Sequence, residues 1–99
     1  MEYLKIFNLT DEDIKDITNS IDEMDINEIS MKEEKVIEIL KYFISMGITN
    51  IKDIIIYKTY LLYDDIETIK EKFNKDSNIN IIKLITEDAV NLELIGLWE

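Results

Sequence analysis

Isoleucines and leucines recur at helical spacing along most of this chain, and acidic residues mark where helices begin. Ile14, Ile17 and Ile21 fall at i, i+3 and i+7, one stripe of a helix. Thr10 stands ahead of Asp11, Glu12 and Asp13, so it predicts an N-cap followed by a first turn of anions that suit the helix dipole. Leu9 and Ile14 occupy the two hydrophobic-staple positions around that cap. Asn19 and Ser20 weaken the helix near its end. From Asp22 to Ile29 the apolar residues Met24, Ile26 and Ile29 share no clean period, and the segment reads as a connection or a short, poorly formed turn. Ser30 and Glu33 then fit the S-x-x-E capping box, opening a helix from Met31 to Met46 that Gly47 ends. Only Glu34, Glu38, Lys41 and Ser45 form a polar strip on it, which predicts the central helix of the core.

Ile48 and Thr49 start the next element, whose buried face is Ile51, Ile54 and Ile55, to about Lys58. Asp64 with Glu67 three residues on predicts a further helix start. Ile66, Ile69 and Phe73 lie on its inner face, and Lys70, Lys72 and Lys75 sit near its end. Residues Asn74 to Asn78 read as a loop. The last twenty residues allow two readings. Thr86-Glu87-Asp88 repeats the cap-plus-acids pattern and predicts two short helices. The strand formers from Ile79 to Ile85 and Val90 to Trp98 would also suit a hairpin around Thr86–Ala89, paired with Tyr3 to Leu9. The fold class is mainly α: a single domain over residues 1–99, built as a small helical bundle or a short helical-repeat array. The alternative is α+β with a C-terminal hairpin.

Composition changes this picture in two ways. The chain has 99 residues, 46% of them hydrophobic, enough for one core and too many for a disordered chain. It also carries twenty-two acids against eleven lysines, a net charge of −11. Eleven of those acids and only three lysines lie between Asp11 and Glu38, a local net of −8. Twenty-one isoleucines, one alanine and the lack of proline and arginine are the signature of AT-rich codons, and imply a low-GC bacterium, its phage or its plasmid. The N-terminus has neither the basic region nor the apolar stretch of a signal peptide, and cysteine is absent, so the cytoplasm is the expected compartment.

The chemistry is equally bounded. Without His or Cys, and with serines outside any nucleophile motif, the chain is expected to have no catalytic residues and no enzymatic activity. It has two glycines and no phosphate-cradling motif, so no nucleotide cofactor is expected. The acid runs at Asp11–Asp13 and Asp22–Asp25 lack the glycine of a calcium-binding loop, and no metal is expected. Direct binding of nucleic acid or anionic membrane is disfavoured by charge.

From Lys35 the text KVIEILKYFISMGITNIKDIIIYKTYLLYDDIETIKEKF resembles the helical repeat of the mitochondrial transcription termination factor family. Leu40, Phe43, Gly47, Ile51, Ile54, Ile55, Leu61, Leu62, Ile66 and Phe73 occupy positions comparable to that repeat, and the likeness extends over about residues 35–95. The resemblance implies a helical-repeat fold. It does not bring the family's nucleic-acid binding, because the basic surface that performs it has no counterpart in a chain without arginine.

The expected function is therefore binding. Asp11, Glu12, Asp13, Asp16, Asp22, Glu23, Asp25 and Glu28 are the candidate partner-binding residues. Glu12 and Asp16 are i, i+4 neighbours of like charge, a pairing that helix stability alone does not favour. An array of carboxylates can dock on a basic, nucleic-acid-binding protein, as an inhibitor or adaptor of the antitoxin, immunity or anti-CRISPR type would. The alternative is an interaction module that binds through an apolar or aromatic face and can form homo-oligomers. Trp98 and Tyr63 are its anchors, while Tyr57 and Tyr60 read as core-edge residues.

Overall fold

Thr10 starts the first α-helix by a reciprocal pair of hydrogen bonds. Its hydroxyl accepts from the Asp13 N–H at 3.1 Å, and its own N–H donates to the Asp13 carboxylate at 2.9 Å. The computed structural model describes residues 2–76 and 85–88, with side chains as far as Glu71 and from Ile85 to Asp88. A 3-10 helix, η1 (Glu2–Phe7), leads into α1 (Asp11–Ser20), α2 (Glu23–Met31) and α3 (Glu33–Ser45). Next come α4 (Ile51–Tyr57), a second 3-10 helix η2 (Thr59–Tyr63), and α5 (Ile66–Asp76). Ile85–Glu87 is a further helical turn. Every regular element among the described residues is helical, and the chain is a small, mainly α domain.

The core is a single cluster. Leu4, Ile17, Ile29, Val36, Ile39, Leu40, Phe43, Ile48, Ile54, Ile55, Leu61, Leu62, Ile69 and Ile85 are fully buried. Its hub is η2. Thr59, Leu61 and Leu62 are buried there, α2 and α3 both pack on it, and α4 meets it end to end. The Thr59 hydroxyl donates back to the Ile55 carbonyl, which satisfies the buried polar side chain where α4 gives way to η2. Elsewhere α1 packs on η1 and α4, and α5 packs on α3.

Gly47 ends α3 as its position predicts. Its φ of 92° is left-handed, the Ile48 N–H donates to the Phe43 carbonyl at 3.0 Å, and the Gly47 N–H donates to the Ile44 carbonyl at 2.9 Å. This is a Schellman motif, with Ile48 and Phe43 both buried beneath it.

Several of these expectations are corrected. The segment Asp22–Ile29 is no connection: Asp22 caps α2, its carboxylate accepting from the Asp25 N–H at 2.9 Å. Ile26 and Ile29 are its inward pair at i, i+3, and Met24, 75% exposed, is on the other side, which is why the three together had no period. The Ser30–Glu33 capping box does not form, because Ser30 and Met31 belong to α2. Lys32 alone separates α2 from α3. Its N–H closes the last turn of α2 on Glu28, and its carbonyl opens α3 by accepting from Val36. The third helix is accordingly Glu33–Ser45, and it is amphipathic: Val36, Ile39, Leu40 and Phe43 are buried, whereas Ile44 is exposed.

The cap of α5 is Asp65, whose carboxylate accepts from the Glu67 N–H at 3.1 Å, one residue beyond the expected Asp64. Residues 74 to 76 continue α5 and are not a loop. Tyr3–Phe7, the strand proposed to pair with a C-terminal hairpin, lies within a 3-10 helix. Ile85–Glu87, the end of that hairpin's first strand and the start of its turn, is helical as well, and residues 79–84 and 89–98 of it, Trp98 among them, with the side chain of Phe73, lie outside the described residues.

Candidate functional site

The eight acidic residues singled out by the sequence fall on α1 and α2, and tertiary contacts sort them. On α1, Asp13 and Asp16 are one helical turn apart and share a side. Lys52, from α4, reaches both: its ammonium lies 3.1 Å from the Asp13 carboxylate and 2.9 Å from that of Asp16. The like charges thus converge on one cation that clamps α1 to α4. The Thr10 N–H and Lys52 together hold the Asp13 carboxyl below the usual carboxylate range. Asp16 and Asp13 in turn push the Lys52 ammonium upward. Asp11 turns the other way, to Lys5 of η1 at 2.7 Å, and Lys5 also holds Glu2 at 2.9 Å. Glu12 is exposed and makes no ion pair among the described residues.

On α2 the division repeats. Asp22 is spent on the helix cap. Asp25 accepts a hydrogen bond from the Tyr63 hydroxyl at 2.7 Å, tying α2 to η2. Glu28 pairs with Lys32 at 2.7 Å, and the same ammonium lies 5.3 Å from the centre of the Tyr63 ring. Glu23 is exposed and makes no ion pair among the described residues. The two quartets also rest on different supports, α1 on η1 and α4, α2 on η2 and α3. Sequence spacing alone could not find Lys52, 36 and 39 residues from Asp16 and Asp13, or Tyr63, 38 residues from Asp25.

The inner side of α2 is anchored twice by tyrosine. Besides Tyr63, the Tyr3 hydroxyl donates to the Ile29 carbonyl at 2.5 Å. Burial, with the nearby charge of Glu33, pushes the Tyr3 hydroxyl up to about 12. Burial, with the bonded Asp25 and the charges of Glu28 and Asp22, pushes Tyr63 up to about 12. Both shifts favour the neutral phenol in the folded chain. Their contribution to stability is therefore complete below about pH 10 and is lost as pH rises through the folded values. Burial raises the Tyr42 phenol too, so titration by tyrosinate absorbance should show Tyr3, Tyr42 and Tyr63 ionising late, with the Tyr63 step lost in Tyr63→Phe. That variant should also lose about 1 kcal/mol at neutral pH in urea unfolding, since Asp25 keeps its access to water.

Of the three tyrosines spaced along α4 and η2, Tyr63 is the half-buried one. Tyr57, expected at the core edge, is 65% exposed, because Ile54 and Ile55 occupy the inner face of α4. No cluster of acids among the described residues is arranged to hold a metal ion, and no helix among them is long and apolar enough to cross a membrane. The chain matches no family model, and no curated protein or solved structure is significantly similar to it.

Proposed function

We propose that this protein is a non-enzymatic acidic binder that docks its α1–α2 half on a basic protein. The observation that carries this reading is the charge left after internal pairing. Eleven acids between Asp11 and Glu38 are offset by three lysines of the same segment, of which Lys32 forms an ion pair, and by two that pair with it from outside, Lys5 and Lys52, which leaves a net of −6. Glu12 and Glu23 supply exposed carboxylates with no internal counter-ion among the described residues, and they are the contacts to test first. Asp13, Asp16, Asp22 and Asp25 act mainly by holding the two helices in place. A partner whose own surface binds nucleic-acid phosphates suits this charge, and excess negative potential speeds the encounter by steering. An inhibitor or adaptor of the antitoxin, immunity or anti-CRISPR type would work this way.

The test is a pull-down from a low-GC bacterial lysate, at low salt and at roughly 0.5 M salt, with bound proteins identified by mass spectrometry. At the higher salt the screening length falls to about 4 Å. The expected result is a basic protein retained at low salt, released at high salt, and captured poorly by the Glu12→Gln, Glu23→Gln double variant. That variant should unfold in urea within about 0.5 kcal/mol of the wild type, because neither side chain is paired among the described residues. Capture indifferent to both salt and substitution overturns the reading. Retention of the protein on a DNA column at low salt overturns it in favour of direct nucleic-acid binding.

A further inference from the structure

Asp25, Ile26 and Ile29 turn α2 inward, and its opposite side carries two methionines that nothing among the described residues covers. Met24 and Met31 are 75% and 82% exposed. They are seven residues apart, which places them about 20° apart around the helix and about 10 Å apart along it, one above the other. A single exposed apolar side chain is ordinary, but two aligned on one helix face mark a strip, and methionine is the residue whose flexible thioether adapts to varied apolar partners. Asn27 and Glu28 lie between them on the same side, with Glu23 at its edge. Beyond Met31 a shallow, open hollow of about 470 Å³, lined by Met31, Lys32, Glu33, Glu34 and Lys35, extends the strip across the α2–α3 joint. The two tyrosine anchors fix α2 from behind, so the strip is held in a set orientation.

We propose that this face of α2 receives a basic amphipathic helix of the partner protein, an inference that rests on the acidic-binder reading above. Charge chooses this occupant. From Asp22 to Lys35, the end of the hollow, there are six acids and two lysines, a net of −4. A second copy of the chain would bring the same negative charge against it, and an anionic lipid surface is repelled likewise. A neutral apolar helix would cover the methionines but desolvate the surrounding carboxylates without partners. A helix with apolar residues at i and i+7, flanked by lysine or arginine, covers Met24 and Met31 and meets Glu23, Glu28, Glu33 and Glu34 at the rim.

The probe is a synthetic amphipathic peptide of leucine and lysine. A second peptide of the same composition, with its leucines scattered around the helix, is the control. Affinity is measured by isothermal titration calorimetry at low salt, and the contact in the wild type is located by the methyl resonances of its methionines. The ordered peptide should shift Met24 and Met31 and leave the half-buried Met46 unmoved, and it should bind the Met24→Ser, Met31→Ser double variant about tenfold more weakly or worse. Both substituted side chains are exposed, so the variant should fold as the wild type does. Equal binding of the two peptides, or wild-type affinity in the variant, overturns the inference and leaves the acidic reading standing on charge alone. Failure of both peptides to bind overturns the inference and counts against that reading too. Dimers of the wild type that the double variant abolishes would assign the strip to a second copy, and overturn it as well.

Discussion

Replacing Phe43 by alanine is expected to remove about 3–5 kcal/mol of stability, which for a domain of this size is a large part of the about 5–15 kcal/mol available. Phe43 is fully buried and is the largest buried side chain of the core. It stands on the inner side of α3 with Val36, Ile39 and Leu40, and its carbonyl receives the Ile48 N–H that closes the helix. Truncation removes the contacts of the ring and leaves a cavity under the Schellman turn. Urea unfolding followed by far-UV circular dichroism should show a much lower midpoint with the slope little changed. The neighbouring Ile44→Ala, on the 41%-exposed side of the same helix, should cost under about 1 kcal/mol. Equal losses at the two positions would mean that α3 is wrapped on all sides, as its sequence suggests and its packing does not.

Leu62→Ala is the second large effect, at about 2–5 kcal/mol. Leu62 is fully buried in η2, the short segment on which both α2 and α3 rest. The adjacent Tyr63 carries the hydroxyl that holds Asp25. Loosening this segment should release α2 more than the remainder of the fold. Amide hydrogen exchange should therefore accelerate within Glu23–Met31 beyond the change in α1, which rests on η1 and α4 instead. Met31→Ala, on the outer side of α2, should change stability by no more than about 0.5 kcal/mol. If Leu62→Ala destabilised the chain by less than about 1 kcal/mol, η2 would not be the hub.

Taken together, the two variants separate what builds the domain from what is left for binding. The same division runs through the acids. Asp13 and Asp16, read as a repulsive array facing a partner, are reconciled by Lys52. Glu12 and Glu23 remain outside every internal pair among the described residues. Substituting the first pair should disturb the α1–α4 clamp, and substituting the second should leave the fold alone.

Local signals in the chain were sufficient for the helical class, for the Thr10 cap with its three acids, for Gly47 as a helix end, and for the inner faces Ile14-Ile17-Ile21 and Ile51-Ile54-Ile55. Each of these depends on neighbours within about one or two turns, where hydrogen-bond geometry and the 3.6-residue period act directly. They were insufficient for α2, because an outward methionine counted as an inward one erased its period. They were also insufficient for the Ser30–Glu33 box, a pattern that fits a cap but yields when the preceding helix runs on through it. Which carboxylates stay free was beyond any local reading. Lys52, Lys5 and Tyr63 come to the other acids from other elements of the fold, and which acids they meet depends on how α1 docks on η1 and α4 and how α2 docks on η2, not on residue spacing.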